Sequence, residues 1–257
     1  MKTVFDDRKI TFEDKKHTLI VEKEGFALIS SDGKTSINLK FSDIGSILPI
    51  GYCNSNKSYN LIFRNFDGQN ICEITTDETG GNTGHNIAET KTILVAFAAS
   101  KLTKDFPNNL YNLDTLIAHS LKEKEIRISQ GKILGKKHTI DINSIRRVKC
   151  VTNGTISNLA IYIKDKGVFF DMPDMTIPVN EVTLPLLEAI ATKNTGRGID
   201  FSRGDGFQQK TSEFMIIRYM DPGFFVGEDG LIKEEWQQTA YERVHKYGYF
   251  VDTFTEL

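Results

Sequence analysis

The stretch Ile37-Asn-Leu-Lys-Phe-Ser-Asp-Ile-Gly-Ser-Ile47 decides the fold, because its pattern returns later as His138-Thr-Ile-Asp-Ile-Asn-Ser-Ile-Arg-Arg-Val148. Apolar and polar side chains alternate at the start of both stretches. Such a period of two places one face of a strand in a core and the other in water, which favours an antiparallel sheet. We therefore expect a β-rich chain in which one structural unit occurs twice.

The correspondence extends outward from these stretches, so that residues 18–106 and 125–201 each run through short strands, turns and one apolar helix. Each copy contains a predicted hairpin, at residues 60–74 around Asp67-Gly68 and at residues 159–172 around Asp165-Lys-Gly167. Glycine adopts positive φ without strain, which suits a hairpin turn. Val168–Met172 is the second strand of the later hairpin. Both copies end on Asp-Phe. A repeat of this length predicts two small domains.

One helix at the end of each copy follows from apolar residues at helical spacing. Asn180 or Thr183 is the expected N-cap of the second helix, with Pro185 near its start. The two apolar stripes consist of Ile87, Leu94, Phe97, Ala98 and Leu102, and of Val182, Leu186, Leu187, Ile190 and Ala191.

Six or seven short antiparallel strands followed by one helix resemble the pleckstrin-homology-like (PH-like) superfold, including its GRAM-like branches. The resemblance covers most of residues 10–201 and rests on the order and pattern of the elements. It implies two sheets that pack nearly orthogonally, with the C-terminal helix plugging one open end.

The predicted organisation is a PH-like domain over residues 1–107, a helical connector over 108–124, a second PH-like domain over 125–206 and a C-terminal α+β element over 207–257. The connector prediction rests on Leu113, Leu116, Ile117 and Leu121, which would share one helical face.

Bulk properties exclude several function classes. The chain has 32 Lys and Arg against 34 Asp and Glu, a net charge of −2, and non-specific nucleic-acid binding needs a basic field. The apolar run at residues 93–99 is far too short for a membrane span, and the N-terminus lacks the apolar core of a signal peptide. Three scattered cysteines fit a reducing cytoplasm. We expect no metal and no cofactor.

A basic string at residues 132–149 of the second copy is the main charged feature, and its candidates for binding an anion or a lipid are Lys132, Lys136, Lys137, Arg147 and Lys149. In lipid-binding members of the family that the chain resembles, a basic group between the first two strands holds an inositol phosphate. The lysines here lack the family's Lys/Arg-x-Arg spacing. A solvated charged face therefore stands beside an anionic ligand or lipid head group as an interpretation.

Two other segments bear on function. Gly80–Gly84 lies between a strand and a helix and could hold a phosphate, but the lysine and hydroxyl of a P-loop are missing, which favours a surface loop. The C-terminal element is rich in aromatic residues, which either pack on themselves or face a partner. Its candidates for partner binding are Phe224, Phe225, Trp236, Tyr241 and Tyr249.

The sequence thus predicts a non-catalytic, cytoplasmic adaptor that recognises a protein or peptide, through an exposed sheet edge or the aromatic element. One alternative is a membrane-surface adaptor that binds anionic lipid through the basic string. A second is a phosphate-binding enzyme, or enzyme subunit, that uses Gly80–Gly84.

Overall fold

The computed structural model of this 257-residue chain describes residues 9–13, 15–34, 36–51, 59–76, 87–101, 110–152, 157–165, 171–180 and 182–200. Within these ranges the protein is mostly β, with four antiparallel sheets and two α-helices. The predicted β-rich α+β class is therefore confirmed.

The first half contains a four-stranded sheet, a three-stranded sheet and a helix. The order β1-β2-β3-β4 forms the first sheet and β5-β6-β7 the second. A 3-10 helix at Phe41–Asp43 separates the sheets. The elements are β1 (Ile10–Glu13), β2 (His17–Glu22), β3 (Gly25–Ser30), β4 (Ser36–Lys40), β5 (Ser46–Gly51), β6 (Tyr59–Arg64), β7 (Asn70–Thr76) and α1 (Ile87–Lys101).

The second half has the same order of elements, and a 3-10 helix at Ile142–Ser144 again separates its sheets. The repeated sequence stretch therefore forms the same strand, 3-10 helix and strand in both halves. The elements are β8 (Asp114–Ser120), β9 (Lys124–Ser129), β10 (Lys132–Leu134), β11 (Thr139–Asp141), β12 (Arg147–Thr152), β13 (Ser157–Tyr162), β14 (Met175–Pro178) and α2 (Thr183–Thr195).

The prediction of a helical connector over residues 108–124 is wrong, because residues 114–120 form strand β8 and pair with β9. The consecutive side chains Leu116, Ile117 and Ala118 are all buried. The register of β8 shifts between Leu116 and Ala118, and a strand covered on both faces also loses the alternation that marks a half-exposed strand. The sheet of the second half consequently begins at Asp114, before the predicted boundary at residue 125.

The partner of β13 also differs from the prediction. The earlier hairpin is confirmed, since β6 pairs with β7 and Gly68 has a φ of 79°. In the second half, however, β13 pairs with Met175–Pro178 rather than with Val168–Met172. Residues 166–170 lie outside the described residues, and Met172 is not in a strand and is 78% exposed.

Both helices turn the predicted apolar stripes inward, as far as the structure describes them. Leu94, Phe97 and Ala98 are buried on α1, and all five residues of the second stripe are buried around α2. Asn180 caps α2, since its Oδ1 accepts hydrogen bonds from the backbone N–H groups of Val182 and Thr183 at 2.9 and 2.8 Å. Leu102 lies outside the described residues.

Strand β8 also joins the halves. It packs against β5 of the first half and β14 of its own half. The Asn180 side chain donates a hydrogen bond to the Ile117 carbonyl oxygen at 3.1 Å. Buried residues of both halves form one continuous apolar cluster. Strand β8 is therefore in contact with both halves.

Candidate functional site

Two turns at one end of the second half are tied together by Glu123. The β8–β9 turn contains Leu121–Glu123, and the β10–β11 turn contains Gly135–His138. The Glu123 carbonyl oxygen accepts a hydrogen bond from the Lys136 amide at 2.8 Å, and the Ser120 hydroxyl accepts one from the Glu123 amide at 2.9 Å. The two turns therefore form one unit, which we call the lysine tip.

The Glu123 side chain completes this connection. Its carboxylate is fully buried and accepts hydrogen bonds from the amides of Lys137 and His138 at 2.9 and 3.2 Å, and the His138 ring lies 2.5 Å away through Nδ1. Burial alone would raise the pKa of Glu123, but these hydrogen bonds outweigh it and hold the pKa below its ordinary value. The carboxylate is therefore charged and withdrawn from the surface.

Gly135 leaves the space that this carboxylate occupies. A Cβ atom at position 135 would lie 2.6 Å from Glu123 Oε2 and 2.9 Å from Glu123 Cβ. Any side chain would therefore push the two turns apart. A glycine here permits the close approach on which the lysine tip depends.

The lysine tip displays one leucine and four lysines. Leu121 is 94% exposed, more than any other large apolar side chain among the described residues. Lys122, Lys124, Lys136 and Lys137 are all exposed. Lys124 has a φ of 61°, a left-handed conformation that glycine adopts at lower cost. Since the Glu123 charge is buried, the tip presents cations around an exposed apolar side chain.

The predicted basic string is divided between the two sheets of the second half. Lys136 and Lys137 lie in the lysine tip, and Lys132 is exposed on β10. Arg147 and Lys149, however, lie on β12. The Arg147 guanidinium pairs with Asp171 and stacks 4.0 Å above the Tyr162 ring, and the Asp171 hydrogen bond raises the Arg147 pKa. Arg147 is thus already engaged within the protein.

The prediction that a partner binds at an exposed sheet edge concerns the outer edge of β12, which is the edge that does not pair with β13. The Cys150 amide donates to the Asp200 carbonyl oxygen at 2.9 Å, and the Asp200 amide donates to the Val148 carbonyl oxygen at 2.8 Å. This parallel bridge lies beside Lys149. The buried Glu188 carboxylate accepts a hydrogen bond from the Ile199 amide at 2.6 Å, which helps to hold the neighbouring Asp200 beside β12. The outer edge of β12 therefore forms backbone hydrogen bonds with a residue outside its three-stranded sheet.

The first half carries a proline at the corresponding edge position. Superposing the repeated stretches aligns Pro49 of β5 with Cys150 of β12. Proline lacks the N–H group that Cys150 donates, and it blocks strand addition. The two halves therefore differ in their capacity to accept an added strand.

Several sequence candidates fall outside the described residues. These are the Gly80–Gly84 loop and the partner-binding candidates Phe224, Phe225, Trp236, Tyr241 and Tyr249. Conversely, sequence reasoning missed Leu121, Lys122, Glu123 and Lys124 as parts of a site. One feature of the sequence indicates this turn. Between two apolar stretches lies the polar run Lys122-Glu-Lys124, and such a run is typical of a turn between strands.

Comparisons with known proteins add no family to this description: neither the protein-family models nor the curated proteins gave a match. In the part of the chain that the structure describes, no helix combines the length and the apolar character needed to cross a bilayer. The same residues contain no group of three or more metal-ligating side chains placed to hold an ion.

Proposed function

We propose that the protein is a non-catalytic adaptor built from two PH-like modules, and that the second module attaches it to an anionic membrane surface through the lysine tip. The observation that carries this proposal is the exposure of Leu121 among four lysines, on turns held together by a buried carboxylate. The order of a four-stranded sheet, a three-stranded sheet and a helix in each half supports the PH-like description.

The chemistry of the tip fits a lipid surface because it combines two weak attractions. Burial of one leucine side chain contributes about 1.5–3 kcal/mol. Each lysine near an anionic leaflet adds about 1 kcal/mol. Together they give about 6 kcal/mol, which corresponds to a dissociation constant of roughly 40 μM. Binding should therefore be reversible and sensitive to salt, and it should weaken strongly when either contribution is removed.

Sedimentation with lipid vesicles tests this proposal. The protein should sediment with phosphatidylcholine vesicles that contain phosphatidylserine and stay in solution with phosphatidylcholine alone. Lys136→Glu combined with Lys137→Glu should abolish binding, and Leu121→Ser should weaken it by about 30-fold, the equivalent of about 2 kcal/mol. Binding that survives both changes would contradict the proposal.

An adjacent pair of exposed lysines in the first half provides the control. Lys15 and Lys16 lie on the turn before β2 and can both be changed to glutamate. This variant has the same net charge as the variant of Lys136 and Lys137. It should retain most of its vesicle binding if the position of the charges, rather than their number, governs the attachment.

Recognition of a protein or peptide is the second candidate function, and the β12 edge favours it. That edge already pairs with Asp200 in parallel orientation, so an extended segment that displaces Asp200 would find the same backbone groups available. Affinity purification of the full chain from its host would test this proposal. A stoichiometric protein lost on Trp236→Ala would support the aromatic element as the contact, whereas a partner lost on Cys150→Pro would support the strand edge.

A cytoplasmic location belongs to the same proposal. The three cysteines occur without a paired pattern, and Cys72 is a free thiol in the structure. An enzyme based on Gly80–Gly84 would require saturable nucleotide binding that disappears when Gly81 and Gly84 are replaced by bulky residues.

A further inference from the structure

The His119 side chain belongs to the second half and lies in a socket formed by residues of the first half. It lies on β8 and is 7% exposed. Its Nδ1 is 2.6 Å from the Ser46 hydroxyl on β5, and its Nε2 is 3.4 Å from the Phe66 carbonyl oxygen. Gly68 lies against the ring, since a Cβ there would come within 3.0 Å of it. The ring is therefore a direct connection between the halves.

These contacts suit a neutral imidazole. The Ser46 hydroxyl donates to Nδ1, and the N–H group at Nε2 faces the Phe66 carbonyl oxygen. A protonated ring carries N–H groups at both nitrogens, so the Ser46 hydroxyl would have to turn its own proton away and accept from Nδ1 instead. Protonation would also place a positive charge in a buried socket, which is costly.

The charged groups around the ring are few. Arg64 on β6 disfavours a second positive charge, whereas Glu125 on β9 favours it. The elements β5 and β14, which both pack on β8, have no titratable side chain. Burial is the main cause that holds the His119 pKa below its ordinary value of 6.5, and Arg64 adds to this effect. The Phe66 hydrogen bond and Glu125 oppose it.

We propose that His119 is a proton-operated latch between the two halves, closed while the ring is neutral and released when the ring is protonated. The latch does not depend on the proposed membrane attachment. A ring released into water titrates at the ordinary value of 6.5. Linkage then raises the ratio of open to closed molecules by up to about tenfold between about pH 7.5 and about pH 5.5.

A buried thiol at the contact between the halves can report this opening. Leu116 is 2% exposed and lies 2.8 Å from a Cβ built at Gly45 of the first half. Leu116→Cys, in the full chain with Cys53, Cys72 and Cys150 changed to serine, provides the reporter. Its rate of reaction with a pyridyl disulfide is divided at each pH by the rate of the denatured chain.

Ile126→Cys is the matched control, because Ile126 is fully buried on β9 within the second half. The corrected rate at position 116 should rise by up to about tenfold from about pH 7.5 to about pH 5.5. The rise should fall below about twofold when His119→Gln is added, because glutamine does not titrate. The rate at position 126 should not depend on residue 119.

Three results would overturn the latch: equal corrected rates at the two pH values, an unchanged pH response with His119→Gln, or an equal acceleration at position 126. NMR titration of the His119 ring in the unmodified protein gives a second test that requires no variant. The latch requires the ring to titrate below 6.5, and a midpoint at or above this value would contradict it.

Discussion

Replacing Glu123 by glutamine should destabilise the protein by about 2 kcal/mol. The carboxylate accepts hydrogen bonds from the Lys137 and His138 amides and faces His138 Nδ1. The oxygen of a glutamine side chain can still accept some of these hydrogen bonds. Its NH2 group, however, is a donor and would face other donors. Loss of about two hydrogen bonds, each worth about 1 kcal/mol or somewhat more to a charged acceptor, gives this magnitude.

Urea unfolding followed by far-ultraviolet circular dichroism measures this loss. Glu125→Gln provides the control, because Glu125 is exposed and pairs with Arg127 at 2.9 Å only at the surface. Such pairs contribute little, so the control should change the free energy of unfolding by less than about 0.5 kcal/mol. An equally small change for Glu123→Gln would refute the account of how the turns are held.

The difference in stability between the wild type and Glu123→Gln should also change with pH in a defined direction. The folded-state pKa of Glu123 lies below its ordinary value of 4.5. The stability that its charge contributes is therefore fully present above the ordinary value and is lost as the pH falls through the folded-state value. The difference in stability between the wild type and Glu123→Gln should be constant near neutral pH and should narrow below about pH 4.5. A difference that grows with acid would contradict this explanation.

Three further substitutions test the packing around the site. Gly135→Ala should cost about 1–3 kcal/mol in urea unfolding, because the new Cβ would lie 2.6 Å from Glu123 Oε2, and a neutral effect would show that the turns can separate freely. Asn180→Ala should lower the thermal midpoint through loss of about 1–2 kcal/mol, because Asn180 caps α2 and also binds the Ile117 carbonyl oxygen. Glu89→Ala should cost about 3–5 kcal/mol in guanidinium unfolding, because the buried Glu89 carboxylate lies 2.7 Å from His17 Nε2, and a loss below about 1 kcal/mol would contradict this role.

Local periodicity predicted much of the fold. The repeated stretch forms the same corner in both halves because alternation over Ile37 and Leu39, or over Ile140 and Ile142, depends only on one face packing against the core. The hairpin around Gly68 follows from turn chemistry, and both helices follow from apolar stripes. These features are set by neighbouring residues, which is why the sequence reveals them.

Elements that depend on the rest of the molecule could not be predicted in this way. Leu116, Ile117 and Ala118 show no alternation because β8 is covered on both faces, and their spacing with Leu113 imitates a helix. Strand β14 is only four residues long and ends in a proline. Neither of these two sequence patterns distinguishes a strand from a helix or a loop.

The candidate site was only half visible in the sequence for the same reason. Lys136 and Lys137 stand out as charges, whereas the spacing of Leu121 with Leu113 and Ile117 predicts a helical face. The tip exists because Glu123 binds backbone amides across two turns, and Gly135 permits that approach. Contacts between a side chain and a distant backbone leave no periodic signal.

The most direct test of the central claim is to locate the lipid contact by NMR, with phosphatidylserine-containing bicelles that carry a nitroxide on the lipid head group. The account predicts that amide signals of residues 121–124 and 135–138 broaden most, while those of the exposed turn at residues 31–34 do not. Strongest broadening elsewhere, or none at a lipid concentration above the expected dissociation constant, would contradict the proposal that the lysine tip docks on an anionic membrane.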